Sequence, residues 1–201
     1  PEGDYRTLEA LPGVITLGGD DPPPHARELL RALRHPDVSV IVDLSKVPHL
    51  EKREYLHTLL PLLMKMRRAS GLPHKILVDE AHYFLAGHEA SHLIDLELAG
   101  YIFVTYRVSM LPDAVRSAPD MVVMVTRETD HEEAKALLAM CRHQACDDSP
   151  ITFHDLMTTE AALLPGAEEA PGRIGRFQLA PRLTPHVRHR TEYLGMRGLD
   201  L

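Results

Sequence analysis

The stretch KILVDEAH, Lys75 to His82, decides how this chain is read. Ile76, Leu77 and Val78, with the aliphatic stem of Lys75, make a short apolar run that follows Pro73 and ends on two adjacent carboxylates, Asp79 and Glu80. A brief apolar run bounded by proline and charge has the pattern of a buried, parallel-sheet strand. Ligands of open α/β sheets sit beyond the carboxyl ends of the strands, so both acids fall on the functional edge. One carboxylate there can hold a magnesium ion, and the next can polarise a water for attack on a phosphate. Strand ends are also commonly acidic because they are solvated, and the dipeptide alone does not choose between these readings.

The neighbouring sequence does bear on the choice. YIFVT (Tyr101 to Thr105) is a second apolar run ending on a polar residue, and MVVMVT (Met121 to Thr126) is a third. Apolar strands separated by helix-like pieces predict an α/β fold, a mostly parallel sheet with flanking helices and one functional edge. Upstream, Val14 to Leu17 reads as a strand stopped by Gly18-Gly19, His25 to Leu33 as a helix, and SVIVDLS (Ser39 to Ser45) as a strand ending at Asp43. Asp43 reads better as a turn or cap residue than as an edge carboxylate. A long helix is expected from His49 to Ser70, with Pro61 kinking or dividing it and Gly71 ending it. Its Leu/Met stripe is core packing, and its basic end, Lys65 to Arg68, reads as a solvated helix terminus. A modest helix is expected over His88 to Leu98, and another, capped by Thr129 or Asp130, through Met140.

Composition sets the outer bounds. The 201 residues are 44% hydrophobic and 25% charged with net charge −7, ordinary for a globular protein and without a global basic field for nucleic acid. Two cysteines, Cys141 and Cys146, are too few for a disulfide framework, so a reducing, cytoplasmic setting is expected. No apolar run is long enough to span a membrane.

Taken together, DEAHYFL (Asp79 to Leu85), VTYRVSMLPDAV (Val104 to Val115) and the PDMVVMVTR strand resemble the second half of a HerA/FtsK-type P-loop ATPase, and PEGDY (Pro1 to Tyr5) is similar to the end of that family's second strand. The resemblance covers roughly the first 130 residues. It implies a P-loop fold of the additional-strand class and hydrolysis of ATP with Mg2+, in a homo-oligomeric ring that moves DNA. By the same resemblance Asp79 is the Walker B acid that places the metal, Glu80 the catalytic base, and Thr105 the sensor of the γ-phosphate or its water. Arg107 and Arg116, near the expected edge, are candidate arginine fingers for a neighbouring subunit, with a surface salt bridge as the plainer reading. His82 is either a coupling residue or a hydrogen-bonded structural histidine.

Two departures qualify the resemblance. Tyr106 stands where the family usually has Gln, which bears on water positioning. No G-x-x-x-x-G-K-[ST] occurs in the chain, so the loop that cradles the phosphates is missing and the chain reads as an N-terminally truncated fragment, inactive alone. In that class the phosphate-loop strand lies between the sensor strand and the next. The runs at Tyr101–Thr105 and Met121–Thr126 are therefore expected to leave a gap, whereas direct pairing would revise the fold.

The chain divides into residues 1–145, the ATPase portion, and residues 146–201, a small Arg/His-rich α+β unit. CRHQAC (Cys141 to Cys146) lacks a standard zinc spacing. From Pro171 to Leu201 six arginines face only Glu192 and Asp200, a pattern for gripping phosphate or for docking on the acidic remainder of the chain. Two other functions stay open, a non-enzymatic ATPase-like scaffold or interaction module, and an ATPase acting on a substrate other than DNA.

Overall fold

A computed structural model describes residues 5–71, 74–87, 92–98, 100–119, 121–125, 130–140, 156–164 and 175–181. Pro1 to Asp4, Cys141 to Cys146, and the arginine-rich segment of Pro171 to Leu201 apart from residues 175–181 lie outside these residues.

The chain opens with a 3-10 helix (Arg6–Ala10), then strand β1 (Val14–Gly18), helix α1 (Ala26–Ala32), β2 (Ser39–Asp43) and the long α2 (His49–Ser70). β1 and β2 pair in parallel, from Val14 opposite Ser39 to Gly18 opposite Asp43. The close of this pair demands glycine. Gly18 has φ of +92°, and a Cβ there would stand 2.3 Å from the carbonyl oxygen of Asp43. Asp43 itself starts the next turn, its Oδ1 accepting the Ser45 N–H at 2.9 Å.

Helix α2 runs 22 residues with Pro61 inside it, so of the two expected effects of the proline, a kink or a division, the division does not occur. It ends where Gly71 takes the left-handed conformation at φ 64°, with Arg67 and Arg68 in the last turn. Leu59 and Leu63 pack with Leu29 of α1 and with Val40 and Val42 of β2. Leu60 faces another core containing Val78, Phe84 and Leu85. The Tyr55 hydroxyl donates to the Pro24 carbonyl at 2.9 Å, tying α2 to the loop before α1.

β3 (Ile76–Val78) leads into the short α3 (Ala81–Leu85), and β4 (Tyr101–Phe103) pairs with β3 in parallel. The helix expected over His88–Leu98 is not formed at residues 92–98, which make turns. Within this segment Leu93 and Ile94 both enter the core. After β4 come a 3-10 helix (Val108–Met110), α4 (Asp113–Ser117), β5 (Val122–Met124) and α5 (His131–Met140), then β6 (Glu160–Leu164) and β7 (Gly175–Gln178).

The architecture is mixed α/β, with two two-stranded parallel sheets and one three-stranded antiparallel sheet among the described residues. The α/β class expected from sequence is present and two of the sheets are parallel, but among the described residues no large, mostly parallel sheet forms. β5 is the main departure. It pairs antiparallel with β6, Met124 opposite Ala162, and shares no ladder with β4. Antiparallel pairing lets Met124 pack with Leu156, Ala162, Leu164 and Leu137 in a core of their own. β6 and β7, from beyond residue 146, thus extend a sheet begun before it. Among the described residues no helix is long and apolar enough to cross a membrane.

Candidate active site

The parallel register of β3 and β4 brings their carboxyl ends to one place. Beyond Val78 the chain turns at Asp79 and Glu80. The Val104 N–H donates to the Val78 carbonyl at 3.0 Å, and the Ala81 N–H donates to the Val104 carbonyl at 2.9 Å. These two bonds clamp the acidic turn against the segment that follows β4. Asp79 Oδ1 accepts the Glu80 N–H at 3.0 Å. Glu80 sits at φ 53°, ψ 41°, the one non-glycine residue with positive φ among the described residues. That conformation costs an L-residue roughly 1–2 kcal/mol, and such strain clusters at functional positions.

His82 is the centre of the site. It lies on α3 with its side chain only 1% exposed, and its Nδ1 is 2.9 Å from the Thr105 hydroxyl oxygen. The imidazole tautomer sets which of the two donates. Thr105 Oγ1 also accepts the Arg107 N–H at 3.0 Å. Glu80 Oε2 lies 3.5 Å from the same Nδ1. Burial, and then the positive charge of Arg107, hold the His82 pKa below its ordinary value against the opposing pull of Glu133 and Asp79. The ring is therefore neutral near pH 7, and its approach to Glu80 is not an ion pair.

Aromatic side chains close over His82. Tyr83 is tilted against it at a centroid distance of 4.2 Å, and Tyr106 meets it edge-on at 4.5 Å. The Tyr83 and Tyr106 hydroxyls are 3.2 Å apart. That hydrogen bond first, and burial second, push the Tyr106 phenol up to about 12, although the residue is 59% exposed.

Arg107 is committed within the chain. Its guanidinium bonds Asp130 at 2.9 Å, lies 3.8 Å from Glu133 Oε1 and sits over the Tyr106 ring. Arg116 pairs with Asp113 on its own helix, and the contacts around His82 do not include it. The structure thus brings together Asp79, Glu80, Thr105 and Arg107, and places Arg116 in a separate pair. Sequence reasoning missed the Tyr83–Tyr106 pair and the partnership of Ser109 with Glu133. Glu133 lies in the first turn of α5, and nothing in the sequence pattern signals its burial.

Among the described residues no group of three or more His, Cys, Asp or Glu side chains is arranged to hold a metal ion. A magnesium ion asks less, being commonly bound through one or two carboxylates with waters and phosphate oxygens. The half-buried Asp79–Glu80 turn fits that requirement. An open groove of about 670 Å3 between α2 and the turn at Ile94–Asp95 shares no residue with this site. No protein-family model matches the chain, and no curated protein shows significant similarity to it.

Proposed function

We propose that this chain carries the acidic and sensor half of an ATP-hydrolysing site of the HerA/FtsK type. The observation that carries the reading is the junction of Asp79-Glu80, at the end of β3, with Thr105, beyond the parallel neighbour β4, through the buried His82. In this reading Asp79 helps to place Mg2+, which would offset the charge of the phosphates. Glu80 orients and deprotonates the attacking water, and Thr105 lies where its hydroxyl can report the state of the γ-phosphate. The triphosphate cradle itself is not among these residues, since no phosphate-loop motif is present, so the nucleotide's phosphates would be held by polypeptide outside them. Ring assembly and DNA as the moved substrate belong to the same proposal; the net charge of −7 keeps a non-DNA substrate as its variant.

A second reading has its own observation. Tyr106 hydrogen-bonds Tyr83, and Arg107 is held by Asp130, which leaves these two positions engaged inside the chain as in an ATPase-like scaffold without turnover. ATP hydrolysis by the polypeptide extended upstream of Pro1 separates the two. Turnover that disappears in Glu80→Gln supports the ATPase; nucleotide binding with no turnover in the parent supports the scaffold.

A further inference from the structure

Glu133 is a buried carboxylate that the proposed chemistry does not use. It is 4% exposed, and acids are almost never so buried unless paired. Its partners are specific. Both the N–H and the hydroxyl of Ser109 donate to it, at 2.9 and 2.5 Å, and Arg107 approaches at 3.8 Å. Its own N–H is fixed by Asp130 Oδ1 at 2.9 Å, which places it in the first turn of α5. The segment from Thr105 to Ser109 is therefore held at both ends. His82 and the Arg107 N–H grip Thr105, and Glu133 grips Ser109. Between them, Arg107 is anchored to Asp130.

We propose that Glu133 is a positioning residue for the acidic turn. By fixing Ser109 it keeps Thr105 against His82, and through His82 it sets where Glu80 stands, so that α5 and the antiparallel sheet packed on it govern the geometry of the site. The role given to Glu80 rests on the ATPase reading; the way Glu80 is held does not.

The test follows the His82 imidazole by NMR across pH in this chain without nucleotide, its signal assigned by its absence in His82→Asn. The groups facing His82 are Glu80, Thr105, Tyr83 and Tyr106, with Arg107, Glu133 and Asp79 acting through their charges. Removing the Glu133 charge by itself lowers the His82 pKa further, because Glu133 raises it. Releasing the segment does the opposite. Water then reaches the ring and relieves the burial that is the main cause of the shift, so the pKa climbs toward about 6.5. Ser109→Ala keeps the Glu133 charge and so isolates the release of the segment. The expected result is a rise of the His82 pKa in this variant while the β3–β4 amides stay protected from exchange; an unchanged or lowered value overturns the proposal. Failure of the extended polypeptide to hydrolyse ATP would refute the nucleotide reading and leave this result standing.

Discussion

His82 Nδ1 and Thr105 Oγ1 lie 2.9 Å apart, joining the first turn after β3 to the residue that carries the chain away from β4. The bond is partly buried, with the His82 side chain itself 1% exposed, and it connects two segments that are 23 residues apart in sequence. Removing one partner of a buried hydrogen bond costs about 1–3 kcal/mol, because the other partner is left desolvated and unpaired. Thr105→Val is therefore expected to lower the unfolding free energy by about that amount, and Thr105→Ser by much less. Urea denaturation of the two variants checks this, and equal losses would show that the hydroxyl is not what matters.

The neutral state of His82 makes a pH prediction with a definite sign. Its folded pKa is lowered, chiefly by burial, so below about pH 6.5 the unfolded chain binds the proton more readily than the folded one. The contribution of His82 to stability is complete above that pH and is lost as the pH falls toward the folded pKa. Unfolding free energies of the parent and of His82→Asn, compared from pH 7.5 to 5, are expected to converge as the pH drops. Parallel profiles would contradict the assignment of a neutral, buried ring.

Glu80 holds left-handed backbone that favours glycine. Glu80→Gly is expected to be at least as stable as the parent, and Glu80→Val to be less stable than Glu80→Gly by about 1–2 kcal/mol, since a β-branched side chain tolerates that region worst. Denaturant titration of the pair reads this difference directly. If the two are equally stable, the turn does not hold its conformation in solution.

Gly18 and Gly71 separate strain from collision. Both have positive φ, but a Cβ at Gly71 meets nothing within 4 Å, whereas one at Gly18 would stand 2.3 Å from Asp43 O. Gly71→Ala is expected to cost about 1 kcal/mol, and Gly18→Ala to cost that strain plus about 1–3 kcal/mol for displacing the β2 backbone. Melting curves of the two rank them. A Gly18 variant no worse than the Gly71 one would mean that the β1–β2 pair opens at its end.

Much of this was legible from local pattern. The bounds of α2, the strand at Ile76–Val78 and the Asp130 cap of α5 follow from apolar spacing, a terminal glycine and a side-chain acceptor, all of which act within a few residues. What sequence did not reveal depends on partners far along the chain. β5 has the apolar run of a parallel strand, yet it pairs antiparallel with β6, and nothing in MVVMVT favours one partner over the other. The acids at Asp79 and Glu80 were visible as a pair, but the lock on them is assembled from Thr105, Ser109 and Glu133, which only tertiary packing brings together. For Arg107 the plainer reading, a salt bridge, is the one the structure shows, but its acceptor, Asp130, lies on another element and could not be named from sequence.

The division of labour between Asp79 and Glu80 is tested most directly by measuring ATP binding and ATP turnover side by side. The polypeptide extended upstream of Pro1 is compared as parent, Asp79→Asn and Glu80→Gln. Glu80→Gln is expected to bind Mg2+-ATP still but to lose turnover by at least about 100-fold, the usual scale for a general base, while Asp79→Asn is expected to weaken the magnesium dependence of binding. Turnover that survives in Glu80→Gln, or binding that ignores both substitutions, would contradict that division of labour and leave the acidic pair as a solvated strand end.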